Sequence, residues 1–109
     1  MADIPMGEYS FYTPDYGTII GTNSCDQSNY TTFAWIIPVD GYMAYSLNNA
    51  GSGGDVQIKI NGNPVVTAQA NNYFRGLQGL LPVKSGNVIT VNYTTGAQGT
   101  TNFALFGLA

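Results

Sequence analysis

The chain has six carboxylates, one thiol, three basic residues, eight tyrosines and no histidine from which catalysis could be built. The acids are Asp3, Glu8, Asp15, Asp26, Asp40 and Asp55, and no two lie closer than five residues. Glycoside hydrolysis needs two carboxylates facing one bond, and this scattered spacing sets up no such pair. The absence of histidine removes the commonest general base and metal ligand. Ordinary zinc sites need histidine or several cysteines, and the chain has Cys25 alone. A reactive thiol needs a neighbouring base or cation, and none stands near Cys25 in sequence. Asp26 or Asp55 could offer oxygen to calcium, but the loop Asn48–Asp55 lacks the alternating acids of a dedicated site. Gly51-Ser52-Gly53-Gly54 lacks the Lys and the following helix of a phosphate loop. Asp15, Asp40 and Asp55 read instead as turn residues that bond the backbone. The expectation is a non-enzyme with no catalytic residue, no metal and no cofactor.

Recognition chemistry is better supplied. Tyrosine occurs eight times, and each copy offers a flat apolar face and one hydroxyl at low entropic cost. Asn72, Tyr73, Phe74 and Arg75 group such residues after a strand, and Tyr12 and Tyr16 do so in the N-terminal segment. These six are the candidate ligand-binding residues. Charged residues make up only 8% of the chain, against about 25% in ordinary domains. Charges resist burial at interface centres, so a neutral surface is free to pair with a partner. Three basic residues and a net charge of −3 are unsuited to tracking phosphates, so no nucleic acid is expected. No apolar run approaches the ~20 residues of a membrane-spanning helix, so no membrane insertion is expected. The N-terminus lacks the pattern of a signal peptide. A single cysteine fits synthesis in a reducing cytoplasm.

The elements that would position these residues are strands. Glycine and proline together number 19 and punctuate short β-rich runs, the signature of a sandwich or barrel. Short strands are expected near Tyr9–Thr13 and Thr18–Gly21, with Pro14–Gly17 a turn and Thr22–Asn29 a polar loop. Stronger strands follow at Thr31–Val39, Tyr42–Leu47, Val56–Ile60, Val65–Gln69, Tyr73–Leu81, Val88–Tyr93 and Thr101–Leu108. Asn61-Gly62 is a strong hairpin signal. The pattern predicts an all-β antiparallel jelly-roll sandwich of about eight strands. Residues 1–28 form an irregular segment and residues 29–109 the jelly roll, within one compact domain.

Two strands fail to alternate. Tyr42–Leu47 and Phe103–Leu108 carry apolar residues in both phases, whereas a sandwich strand should have one wet face. A neighbouring subunit would supply the missing cover. Tyr42, Tyr45, Phe103, Leu105, Phe106 and Leu108 are therefore the candidate oligomer interface.

The order of motifs from Asn29 to Leu108 resembles the C1q/TNF-like jelly roll. Ile37-Pro38-Val39-Asp40-Gly41-Tyr42 matches its Pro-x-x-Gly-aromatic step. Leu81-Pro82-Val83-Lys84-Ser85-Gly86-Asn87-Val88 matches its Lys-x-Gly-Asp strand entry, with Asn87 where that pattern prefers Asp. Phe103-Ala104-Leu105-Phe106-Gly107-Leu108 matches the closing strand. The sequence is equally similar to the small β domains of trimeric phage tail-fibre tips and receptor-binding proteins. The resemblance implies a homotrimer with the last strand near the three-fold axis and function in exposed loops. It implies a virion tip, spike or decoration module that binds a cell-surface glycan or protein, located on the virion or released by lysis. A structural head or tail assembly protein and a soluble carbohydrate-binding lectin are the alternatives.

Overall fold

The computed structural model describes residues 13–69 and 76–109. Among them are eight strands and no helix: β1 Pro14–Asp26, β2 Trp35–Ile36, β3 Gly41–Asn48, β4 Asp55–Ile60, β5 Asn63–Gln69, β6 Gly76–Val83, β7 Val88–Tyr93 and β8 Thr100–Leu108. They form two four-stranded sheets, ordered β1-β8-β3-β6 and β2-β7-β4-β5. Every pairing is antiparallel. This is the expected jelly-roll sandwich.

Alternation builds the core. Val56 and Ile58 of β4 and Ile89 and Val91 of β7 are buried, while Gln57 and Thr90 between them are not. Met43 and Leu47 of β3 and Phe103 and Leu105 of β8 come in from the opposite sheet. Fully burying one such side chain contributes about 1.5–3 kcal/mol. The Asn61-Gly62 turn joins β4 to β5, with φ of 52° and 84°. Positive φ at both central residues suits the right-handed twist of a hairpin.

The structure departs from the sequence reading in the first third of the chain. Residues 22–26 belong to β1 and are not loop, because Thr22 to Asp26 pair in register with Ala104 to Thr100. Pro14–Gly17 lies in the same strand, at a register break between Pro14 and Ile19. Conversely, the long strand expected at 31–39 shrinks to Trp35–Ile36. Residues 27–32 turn instead, with the Thr32 and Phe33 amides donating to the Asn29 carbonyl. The Ile37 amide donates to the Asn87 carbonyl, and Pro38 has no amide to continue a ladder. The other expected strands stand within a few residues of their predicted bounds. The strand expected near Tyr9–Thr13 and the start of the one expected at Tyr73–Leu81 lie outside the described residues.

Candidate interaction surface

Register places the outward residues of β1-β8-β3-β6 in three rows. The first is Ile19, Phe106, Tyr42 and Pro82. The second is Thr22, Ala104, Ala44 and Leu80. The third is Ser24, Asn102, Ser46 and Gln78. The face thus grades from large apolar groups, through small ones, to hydroxyls and amides. The strands β3, β6 and β8 carry no charged residue at all. Ile19 is 57% exposed and Leu80 38%. The Tyr16 ring stands edge-on to Phe106 at a centroid distance of 5.2 Å and extends the apolar row.

Beside this row lies an open cleft lined by Asp40, Tyr42, Pro82, Lys84, Asn87 and Leu108. Two hydrogen bonds pin its polar side. The Ser85 amide donates to Asp40 Oδ1 at 2.9 Å, and the Lys84 amide donates to Asn87 Oδ1 at 2.8 Å.

Three of the six expected interface residues fall on this face: Tyr42, Phe106 and Leu108. The other three are corrected. Phe103 is 3% exposed and Leu105 0%, so both are spent on the protomer's own core. Tyr45 also packs against that core. A Cβ on Gly79, its cross-strand neighbour, would collide with the Tyr45 ring. Glycine at that position leaves room for the aromatic side chain. Of the expected ligand-binding residues, Tyr16 is exposed at the edge of the apolar row. Tyr12, Asn72, Tyr73, Phe74 and Arg75 lie outside the described residues. The sequence reading passed over Ile19, Leu80 and Pro82. The charge-free runs Tyr16–Cys25 and Gly76–Val83 were the available signal for them.

The opposite end of the sandwich is held by Asn49, which is 0% exposed. Its Nδ2 donates to the Gly54 and Ala68 carbonyls, and its Oδ1 accepts from the Gly51 and Gln98 amides. These bonds tie the 49–54 loop to the 94–99 loop. Gly51 fits because a Cβ there would strike the Gly96 carbonyl. Exposed Ser52, Thr94, Thr95 and Gln98 give this end a hydroxyl- and amide-bearing surface, with Asp55 beside Thr94 and Asp26 opposite Thr100.

The titratable groups serve structure. Asp15 Oδ1 accepts from the Gly17 amide and Asp40 from the Ser85 amide, as expected of turn acids. Asp55 closes its loop through the main chain, with its amide donating to Thr94 Oγ1. Hydrogen bonds from the Ser28 hydroxyl and amide hold the Asp26 carboxyl below its ordinary range. Burial, with Asp26 nearby, pushes the Cys25 thiol up to about 11, which suppresses the nucleophilic thiolate. The Tyr93 hydroxyl is also raised by burial and lies within hydrogen-bond reach of the Cys25 and Gly99 carbonyls. Among the described residues no three His, Cys, Asp or Glu side chains cluster as a metal site.

The sheet order and connectivity are those of a jelly-roll sandwich. Among solved structures, the chain is similar to pika GITRL, at 13% identity and a TM-score of 0.57, covering 68% of this chain and 77% of that one. Bushbaby GITRL aligns at 18% identity and a TM-score of 0.58, covering 68% and 69%. Rabbit GITRL aligns at 15% and 0.56, covering 66% and 69%. At these identities the likeness is one of fold. No family model and no curated protein matches the sequence.

Proposed function

We propose that this chain is a non-catalytic homotrimeric binding module, a virion tip, spike or decoration domain that engages a cell-surface glycan or protein. The observation that carries this reading is the face of β1-β8-β3-β6, to which β3, β6 and β8 contribute no charge, with its row Ile19, Phe106, Tyr42 and Pro82. Contiguous exposed apolar surface marks interaction sites, and a symmetric oligomer covers it with more of the same chain. The jelly-roll fold supports the reading, since it is the fold in which the sequence resemblance implies trimers. The end tied by Asn49 supports the binding half. Its loops are pre-organised by hydrogen bonds, which lowers the entropic cost of holding a ligand. Its hydroxyls and amides suit a hydroxyl-rich partner. Such a protein would act on the virion or outside the cell after lysis.

The same neutral face also suits a head or tail assembly protein whose task is to join subunits. A glycan array and a host-cell binding assay, run beside pull-down with capsid and tail proteins, separate the two. Binding to a glycan or cell surface is expected. Silence there with tight binding to a virion protein would establish the assembly role. Turnover of a surface polysaccharide abolished by one Asp substitution would overturn the non-catalytic reading.

A further inference from the structure

Asn61-Gly62 is the single Asn-Gly step of the sequence, and such a step has a reaction of its own. Glycine has no side chain to shield its amide, so the Gly62 nitrogen is free to attack Asn61 Cγ. A Cβ at Gly62 would meet nothing within 4 Å, so the site is open to water. The N–C bond forms as the Cγ–Nδ2 bond breaks. The Gly62 nitrogen gives up its proton and ammonia leaves. Water then opens the cyclic imide at either carbonyl. The product is aspartate or isoaspartate, and the second carries the main chain through Cγ. The steps need water and no oxidant.

The geometry of the turn opposes this chemistry. Asn61 and Gly62 have φ of 52° and 84°, the form of a type I′ turn. That turn mirrors type I, so ψ of Asn61 is roughly +30°. There the Gly62 nitrogen lies nearly opposite Cβ across the Cα–C bond. Closing a five-membered ring needs it alongside Cβ. The side chain is tied as well. The Val88 amide donates to Asn61 Oδ1 at 2.8 Å, and the Asn61 amide donates to the Val88 carbonyl at 2.9 Å. The carboxamide is thus clamped to the start of β7.

The clamp sits on a weakly held tip. Residues 61–65 are all exposed, and β5 is an edge strand. Its ladder to β4 shifts register between Ile58 and Lys59, and Pro64 has no amide to donate. Few buried contacts and a broken ladder mark a segment that opens while the rest stays folded. Ile60 and Val66 are the side chains that anchor this tip against the core.

We infer that Asn61 is a latent deamidation site, held shut by its own turn and by Val88, and that local opening of the β4–β5 tip sets the rate of its conversion. The conversion runs one way. An isoaspartyl residue lengthens the main chain of a two-residue turn and displaces the group that caps Val88, so the original turn does not re-form.

Peptide mass mapping tests it. The full chain is incubated in mildly alkaline buffer, with and without urea, and the conversion of Asn61 is followed over time. The native rate is expected to be on the order of 100-fold below the rate in urea, as for a reaction that waits on local opening. Ile60→Ala loosens the tip and is expected to raise the native rate about tenfold. Val66→Ala serves the same purpose where Ile60→Ala fails to fold. Leu105→Ala removes core from the opposite sheet and is expected to leave the native rate unchanged. Cooperative melting checks that each variant is folded. Equal rates with and without urea would overturn the protection. Acceleration by Leu105→Ala as large as that by Ile60→Ala would assign the rate to global unfolding and overturn the local opening. No conversion even in urea would remove the site.

Discussion

The outer faces of the two sheets differ in kind. Across β2-β7-β4-β5 a typical row reads Asn92, Gln57, Thr67, and the next sets Lys59 beside Thr90. Across β1-β8-β3-β6 the row reads Ile19, Phe106, Tyr42, Pro82. Both sheets hide the same kind of core on their inner sides. Only the first also carries large apolar groups across all four strands of its outer side. A protein that needed one wet face on each sheet has two such faces in the second sheet's style available to it. It uses one. In the proposed assembly the second face meets water and the first meets a partner.

Adjacent residues of β8 sharpen this contrast. Leu105 is 0% exposed, so Leu105→Ala is expected to cost the protomer about 2–5 kcal/mol, read as a lower denaturant midpoint. Phe106 faces outward, so Phe106→Asp should leave the protomer folded and break the assembly. Burying an unpaired charge at the contact is expected to weaken association ~100-fold or more, checked by sedimentation at several concentrations. Thr90→Asp, at the same depth on the other sheet, should leave association unchanged. Equal effects of Phe106→Asp and Thr90→Asp would erase the distinction between the faces.

The smallest expected effect concerns pH. The Cys25 thiol is neutral when protonated, and its folded value is raised from 9.0 to about 11. Between those values the unfolded chain releases a proton that the folded chain keeps. Stability is therefore full below about 9 and falls as the pH rises toward about 11. Cys25→Ala should flatten that part of an alkaline stability profile. An unchanged slope would move the effect to another group, such as Tyr93.

Much of this architecture was legible before folding. Val56-Gln57-Ile58-Lys59-Ile60 alternates in one phase only, so both the strand and its buried side follow. Asn61-Gly62 announces its own turn. The strands β3 and β8 are legible as strands but not in phase. Tyr42 and Tyr45, like Phe106 and Phe103, are aromatic in opposite phases, and a period of two cannot choose between them. Cross-strand neighbours make the choice. Gly79 leaves space for the Tyr45 ring on the inner side, and Phe33 and Trp35 gather around Phe103. The long β1 was illegible because Thr22, Asn23 and Ser24 have the composition of a loop. Their pairing with β8 overrides local preference. Likewise the row Ile19–Phe106–Tyr42–Pro82 joins residues far apart in sequence, such as Ile19 and Phe106, and only register reveals it.

In the proposed homotrimer the face of β1-β8-β3-β6 meets other copies of this chain. Light scattering on the wild-type protein at micromolar concentration tests that contact. A mass about three times the 11.6 kDa of the chain is expected. A clean monomer would contradict it.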